Sequence, residues 1–302
     1  MTNSKYQLPK DGGLVKDFAP KDIIHRYERM TTRVFDSEYN GVQYVADIIC
    51  RMVHAHAENA SARDIYEELP PFVLGLATGR TPLGLYRELV KRYQAGEISF
   101  KNVAVYSLDE FYPMKGTDHQ SRNFRIHDQF LKHIDILPEH VHIPDGTVSE
   151  QDISEYCAAY DKSIRKIDLM IIGFGEQGQI GFNEQGSYAK SPTRLVELSH
   201  NSRKTQSNLF FGLENTPKMA ITMGIGTIMR ADKIILMAWG EDKATAVQKI
   251  VEEDISDKIP ASHLQEHPNV ELVIDEIAAE KLTREQTPWL SLIHISEPTR
   301  RY

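Results

Sequence analysis

The sequence contains few cysteines and no long hydrophobic segment. Its 302 residues include two cysteines, Cys50 and Cys157, whose separation fits no metal-binding motif and no disulfide framework. The first ten residues are polar and lack the apolar core of a signal peptide. The longest apolar runs, such as residues 234–239, are too short to cross a bilayer. These absences predict a protein of the reducing cytoplasm with no membrane partner.

The chain also lacks an excess of positive charge. It carries 35 Lys and Arg residues against 43 Asp and Glu residues, a net charge of −8. Proteins that bind a nucleic acid backbone need concentrated cations, so nucleic acid is not the expected partner. A small anionic ligand remains compatible with this balance, because it needs only a local positive site.

Short apolar runs alternate with amphipathic segments along most of the chain. We predict buried strands at 72–76, 103–108, 169–172, 195–198, 220–223, 234–238 and 270–274. Helices are predicted from about Asp36, after Pro82, over 153–167 and over 242–252. This alternation predicts an α/β fold, a three-layer Rossmann-like domain with a mainly parallel sheet.

The two ends of the chain depart from this pattern. Residues 1–34 contain Pro9, Pro20 and little periodicity, so we predict an irregular arm. Residues 35–289 contain no segment typical of an interdomain linker, which predicts a single domain. The string from Leu290 to Arg300 resembles the translation of a transposase adapter used in sequencing libraries. We therefore expect residues 290–302 to be non-native; a genuine polar tail is the alternative.

The first loop with chemical potential is residues 78–82, between a predicted strand and a helix. Gly79 would let the backbone approach a ligand closely. The helix N-terminus offers free N–H groups to an anion such as phosphate. Arg80 and the hydroxyls of Thr78 and Thr81 would add donors. An ordinary turn without a ligand is the alternative.

Lys243 lies in the first turn of the helix predicted after strand 234–238. A cation at that end does not complement the helix dipole. Its position therefore favours an anionic ligand beside it, and an exposed lysine without a ligand is the alternative.

Two adjacent acids, Asp109 and Glu110, follow the strand predicted at 103–108. Neighbouring side chains on a strand point to opposite faces, so one carboxylate can enter a cleft while the other serves the structure. A carboxylate is a suitable base for moving a proton between neighbouring carbons of a sugar. The alternative is a solvated strand end.

The segment 173–184 contains a formal G-x-G-x-x-G after a strand, with Glu197 near the distance expected of a ribose-binding acid. That fingerprint should open a helix, whereas Gly181, Asn183 and Gly186 follow within a few residues. This composition predicts a long loop, so dinucleotide binding is not expected.

Together these segments resemble the glucosamine-6-phosphate deaminase family, from about Phe35 to Trp289. The matching blocks are residues 74–82, 107–111, 173–184, 193–194, 220–227, 239–244 and 261–268. The resemblance is closer still to a long bacterial branch in which a deacetylase-like domain follows, which implies a missing C-terminal domain. The resemblance is compatible with a homo-oligomer.

The resemblance implies conversion of a small-molecule sugar phosphate, glucosamine 6-phosphate, to fructose 6-phosphate and ammonia, with no metal and no organic cofactor. Asp109 takes the position of the base that moves a proton between C2 and C1. Glu184 takes that of the acid supporting ring opening. The positions that match phosphate-binding groups are Thr78, Gly79, Thr81 and Lys243.

Four positions depart from the family pattern. Gln177 replaces an Asp, and Gln179 replaces the His that opens the sugar ring. Glutamine has no pKa near neutrality and cannot shuttle a proton. Asn208 stands where a phosphate-binding Arg is expected, and Arg80, in place of a Gly, would compensate for the lost charge.

These departures leave three functions open. The first is an aminosugar-phosphate deaminase, an enzyme that tolerates the missing His because its substrate opens spontaneously or arrives in open form. The second is a related aldose–ketose isomerase, or a deaminase that acts on another sugar phosphate. The third is a non-catalytic module that binds a sugar phosphate or regulates a fused enzyme.

Overall fold

Twelve strands lie in the described part of the chain. A computed structural model describes residues 6–7, 15–17, 27–61 and 70–286. The strands are β1 Tyr6–Gln7, β2 Val15–Asp17, β3 Thr31–Phe35, β4 Phe72–Leu76, β5 Val103–Ser107, β6 Asp109–Tyr112, β7 Val141–His142, β8 Leu169–Gly173, β9 Arg194–Glu197, β10 Met219–Thr222, β11 Ile234–Ala238 and β12 Val270–Asp275.

The described helices connect these strands. They are α1 Glu38–Ser61, α2 Leu83–Gln94, α3 Arg122–Gln129, α4 Ile153–Ser163, α5 His200–Gln206, α6 Ile225–Ile228, α7 Ala244–Glu252, α8 Glu276–Ala279 and α9 Thr283–Gln286. Short 3₁₀ helices cover Leu131–His133, Pro138–His140, Ser207–Phe210, Glu241–Lys243 and Pro260–Glu266. No helix in the described residues is long and apolar enough to cross a membrane.

The larger sheet has the strand order β1-β2-β3-β12-β11-β8-β4-β5-β7. Every pair of neighbouring strands between β3 and β7 in this order is parallel. At one edge, β2 pairs antiparallel with both β3 and β1. The predicted α/β fold with a mainly parallel sheet is therefore confirmed. The smaller sheet, β6-β10-β9, is antiparallel throughout.

Helices cover the larger sheet on both faces. Along β8, Leu169 and Ile171 pack into one hydrophobic core, with residues of α1, α2 and α3. Met170 and Ile172 pack into the other core, with residues of α4, α7 and α8. Successive side chains of a strand alternate between faces, and a strand buried on both faces reads as a continuous apolar run. This accounts for the predicted three layers.

The ends of the chain give one correction. The prediction of an irregular arm at residues 1–34 is wrong at three places. Residues 6–7 and 15–17 form β1 and β2, and residues 31–34 belong to β3, which pairs in parallel with β12 inside the larger sheet. β3 was missed because its sequence, TTRVF, is short and only partly apolar. The predicted boundary near residue 289 and the predicted non-native segment 290–302 lie outside the described residues.

Candidate active site

Three loops meet at the carboxyl ends of the central parallel strands. The loop 78–82 follows β4, the segment 173–184 follows β8, and Trp239 follows β11. The Trp239 indole N–H donates to the Thr81 carbonyl at 3.2 Å. A Cβ built on Gly173 would lie 3.1 Å from the Thr81 side chain, so these two loops are in close contact. The carboxyl ends of parallel strands are where open α/β sheets bind ligands.

Asp109 lies beside the loop 78–82 and is the first residue of a new strand. The strand predicted at 103–108 ends at Ser107, and Asp109 begins β6 of the smaller sheet. Its side chain is buried, since the residue is 5% exposed. The Thr78 hydroxyl donates to its Oδ1 at 3.3 Å, and Nε of Arg122 lies 3.5 Å from the same oxygen. The structure thus brings Thr78 and Asp109 together.

The ionisation of Asp109 reflects opposing influences. Burial raises the pKa of this carboxyl above its ordinary value, while the Arg122 guanidinium and the Thr78 hydroxyl lower it. A carboxylate with a raised pKa is a stronger base than an exposed one. Proton transfer from a carbon atom needs such a base within reach of the substrate.

Glu110 points away from Asp109 and serves the structure. Its carboxylate accepts hydrogen bonds from the Ser121 hydroxyl at 2.7 Å and from the backbone N–H groups of Arg122 and Asn123 at 2.9 Å. It thereby satisfies the free N–H groups at the start of α3. The two acids therefore divide their roles in the way that alternation along a strand predicts.

The segment 173–184 forms a loop rather than the start of a helix. Gly178 and Gly181 have φ values of 72° and 57°, which favour glycine. The Phe182 N–H donates to the Thr222 hydroxyl at 3.1 Å, and the Asn183 side chain donates to the Met223 carbonyl at 2.8 Å. These bonds attach the loop to β10, the strand that pairs with Asp109 in β6. The expectation of a long loop is confirmed.

Both glutamines lie in this loop. Gln177 is exposed and Gln179 is half-buried. The Gln179 side-chain carbonyl accepts the Gln177 backbone N–H at 3.0 Å, and its backbone carbonyl accepts the Gly175 N–H at 2.9 Å. The Gln179 side chain therefore closes a turn of the loop on itself. Neither residue can supply a proton-transfer group.

Glu184 is the last residue of the same loop. It is half-buried and accepts the Ser199 backbone N–H at 3.1 Å. It lines a pocket of about 510 Å³ with Phe182, Gln185, Gly186, Ser187, Val196, Glu197, Leu198, Ser199 and His200. Thr78, Asp109 and Lys243 do not line this pocket. Glu184 is therefore the one predicted site residue among those that line this concave surface.

The predicted phosphate-binding residues differ in exposure. Thr78 is buried, Thr81 is half-buried, and Gly79 and Arg80 are exposed. A Cβ on Gly79 would meet no atom within 4 Å, which leaves open space at this loop. Lys243 ends the 3₁₀ helix Glu241–Lys243 ahead of α7. Its Nζ lies 3.7 Å from the Asp242 carboxylate.

Asn208, which stands where a phosphate-binding Arg was expected, is exposed on the 3₁₀ helix Ser207–Phe210. Among the described residues, no group of three or more His, Cys, Asp and Glu could hold a metal ion.

Sequence reasoning missed Arg122: the preceding serine indicates a helix start, but not that the next side chain turns back to Asp109.

Comparisons with known proteins show the family of the chain. The family model described as glucosamine-6-phosphate isomerases/6-phosphogluconolactonase matches residues 45–273. Glucosamine-6-phosphate deaminase 2 of Bacillus subtilis is 44% identical over 216 residues, covering 70% of this chain and 86% of that protein. A solved structure of a monomeric glucosamine-6-phosphate deaminase is 34% identical, with a TM-score of 0.75, and the match covers 83% of this chain and 100% of that one.

A third relative is much longer. A glucosamine-6-phosphate deaminase-like protein of Bacteroides thetaiotaomicron is 38% identical over 273 residues. The match covers 89% of this chain, and the chain spans 40% of that relative's length.

Proposed function

The chain belongs to the family of glucosamine-6-phosphate isomerases and 6-phosphogluconolactonases, and we propose that it acts as an aminosugar-phosphate deaminase. The reaction takes glucosamine 6-phosphate and water to fructose 6-phosphate and ammonia. The observation that carries the proposal is the identity, 38–44%, to relatives named glucosamine-6-phosphate deaminases or deaminase-like over most of the chain. The geometry around Asp109 supports it.

Asp109 is the base in this proposal. It takes the proton from C2 of the open-chain sugar and returns it to C1, which leaves an imine at C2. Water adds to C2 as the C–N bond breaks, and the products are the ketose phosphate and ammonia. Burial raises the pKa of Asp109, which suits the removal of a carbon-bound proton. The Thr78 hydroxyl, at 3.3 Å, fixes the carboxylate beside the loop 78–82.

The phosphate is assigned to the loop 78–82 and to Lys243. Gly79 leaves open space above the loop, and the exposed Arg80 adds a positive charge near it. The half-buried Lys243 would supply a second charge. Arginine and lysine both bind phosphate, arginine through a bidentate fork and lysine as a point charge.

Ring opening is the step for which this site lacks a proton-transfer group at position 179. Glu184 is assigned to support it, but Gln179 cannot act as an acid or base. We infer that the substrate enters in its open form or opens without help from position 179. Restoring the acid and the imidazole together, in Gln177→Asp with Gln179→His, should then raise turnover of the cyclic sugar.

One assay tests the proposal. Ammonia release and fructose 6-phosphate formation from glucosamine 6-phosphate are measured for the wild type and for Asp109→Asn, with Asp128→Asn as the matched control. General base catalysis contributes about 10²–10⁴-fold, so Asp109→Asn should lose that much of kcat. Asp128 is exposed, and its carboxylate pairs with the exposed Lys132 at 2.6 Å, so its variant should match the wild type.

The two other functions are tested in parallel. The ketose measurement is repeated with an aldose phosphate that has no amine, such as glucose 6-phosphate, and a ketose phosphate formed from it while glucosamine 6-phosphate is not turned over would replace deamination by isomerisation. Binding of the sugar phosphate without any turnover would support a non-catalytic module and refute the proposal.

We also propose that the native gene encodes a longer cytoplasmic protein, with a deacetylase-like domain after the deaminase-like one. The length of the Bacteroides thetaiotaomicron relative, of which this chain spans 40%, supports it. Amplifying the source gene across the codons of residues 285–302 tests it. A stop codon in place of a continuing frame would contradict it.

A further inference from the structure

Arg122 is a buried cation beside Asp109. Its side chain is 7% exposed, and its Nε lies 3.5 Å from Asp109 Oδ1. The guanidinium lies over the rings of Phe111, at 4.7 Å from the centroid, and Phe182, at 5.4 Å. It thus contacts the proposed base, the strand that carries it, and the loop that leads to Glu184.

The position of Arg122 is set by Glu110. The Glu110 carboxylate accepts the Arg122 backbone N–H at 2.9 Å and holds the start of α3 through Ser121 and Asn123. The backbone of Arg122 is therefore fixed from one face of β6 while its side chain reaches Asp109. A buried arginine held this firmly loses little conformational freedom when it pairs with a carboxylate.

Other ionisable groups face Asp109, but they add no positive charge. Tyr86 of α2 and Tyr160 of α4 both have a pKa raised by burial, with a smaller contribution from the charge of Asp109. Both are neutral phenols whose hydroxyls donate to backbone carbonyls. From the loop after β4, Thr78 offers a hydroxyl only. Among the described groups that act on the ionisation of Asp109, Arg122 alone carries a positive charge.

We propose that Arg122 is a positioning residue for the reaction, whose guanidinium holds Asp109 in its ionised, proton-accepting form. The inference rests on the proposed function of Asp109. Burial alone disfavours the carboxylate, and a cation at 3.5 Å offsets that penalty. The aromatic rings of Phe111 and Phe182 keep the guanidinium in place without competing for it through hydrogen bonds.

The test compares pH profiles of kcat/KM for Arg122→Gln, Arg122→Lys and Arg51→Gln. Removing the charge should move the acid limb to higher pH, so that at pH values below both acid limbs Arg122→Gln is about tenfold slower than the wild type for each unit of displacement, and it approaches the wild type at pH 9. Lysine keeps the charge, so its acid limb should stay near that of the wild type. Arg51 is exposed on α1 and donates to the Asp47 carbonyl at 3.3 Å, so its variant is the control.

Three outcomes would overturn the proposal. One is an Arg122→Gln profile with an unmoved acid limb. Another is an equal loss at every pH, which is the mark of a purely structural role. The third is a lysine variant displaced as far as the glutamine variant. Circular dichroism and thermal melting of each variant establish that it is folded.

A second measurement separates this inference from the proposed function. The protein is labelled with ¹³C at the aspartate carboxyl carbons, and the Asp109 signal is identified by its loss in Asp109→Asn. Its titration midpoint should rise in Arg122→Gln, and an unchanged midpoint overturns the proposal. This readout follows the carboxyl itself, so it decides the role of Arg122 even if glucosamine 6-phosphate is not turned over.

Discussion

Replacing Glu110 by Gln should destabilise the protein, because this buried carboxylate binds the start of α3. Its Oε1 accepts the N–H groups of Phe111 at 2.8 Å and Arg122 at 2.9 Å. Its Oε2 accepts the Ser121 hydroxyl at 2.7 Å and the Asn123 N–H at 2.9 Å. Glutamine keeps one of the two oxygens, but its side-chain NH₂ replaces the other. That NH₂ is a donor and cannot accept the Asn123 N–H.

The expected loss follows from these four bonds. A buried donor left without a partner costs about 1–3 kcal/mol, and the remaining bonds weaken when their acceptor loses its charge. We therefore expect Glu110→Gln to lower the free energy of unfolding by about 2–4 kcal/mol. Activity should fall as well, since the Arg122 side chain extends from the segment that loosens.

Urea denaturation followed by circular dichroism measures this change. With a denaturant slope of about 3 kcal/mol/M, the midpoint should fall by about 1 M at unchanged slope. Glu139→Gln is the matched control; this residue is exposed on the 3₁₀ helix Pro138–His140 and should change stability by less than about 0.5 kcal/mol. A loss below about 1 kcal/mol for Glu110→Gln would refute the assignment of Glu110 as the anchor of α3.

Three further predictions concern the space around two glycines and the reactivity of one thiol. A Cβ on Gly224 would overlap the backbone carbonyl oxygens of residues 191–192, so Gly224→Ala should cost about 3 kcal/mol in thermal or urea unfolding. Gly79→Ala, with no neighbour within 4 Å, should leave stability unchanged but raise KM for a phosphorylated substrate; a KM like that of the wild type would exclude Gly79 from the phosphate site. Burial raises the pKa of the Cys157 thiol to about 11, so roughly one thiol in a thousand is ionised at pH 8. This thiol should resist a disulfide reagent until the protein is unfolded, and rapid labelling of the native protein would contradict its burial.

The central strands β4 and β11 of the larger sheet could be predicted because they are apolar throughout. The runs 72–76 and 234–238 coincide with β4 and β11 residue for residue, since both are buried on two faces and bounded by breaks in the pattern. β3 was missed because three of its five residues are Thr and Arg, and its burial depends on pairing with β12, more than 230 residues away in sequence. Such long-range pairing leaves no trace in a local window.

The candidate site was predictable only in part, for the same reason. The alternation of Asp109 and Glu110 between opposite faces follows from strand geometry alone. The antiparallel pairing of β6 with β10, which links Asp109 to the loop of Phe182, depends on the tertiary fold. The ion pair between Arg122 and Asp109 likewise needs the turn between β6 and α3, whose course no spacing rule specifies.

The geometry of the loop 173–184 explains why position 179 should not regain its function through a single change. The Gln179 side chain lies against Gly175, whose absent Cβ leaves the space for it, and its carbonyl accepts the Gln177 backbone N–H at 3.0 Å. An imidazole at position 179 has no carbonyl oxygen to close this turn, and without a partner its tautomer is not fixed. A carboxylate at position 177 would accept its ring N–H and fix both tautomer and orientation. Gln177→Asp with Gln179→His should therefore raise ammonia release more than Gln179→His alone, and equal gains from both would show that the residue at position 177 has no orienting role.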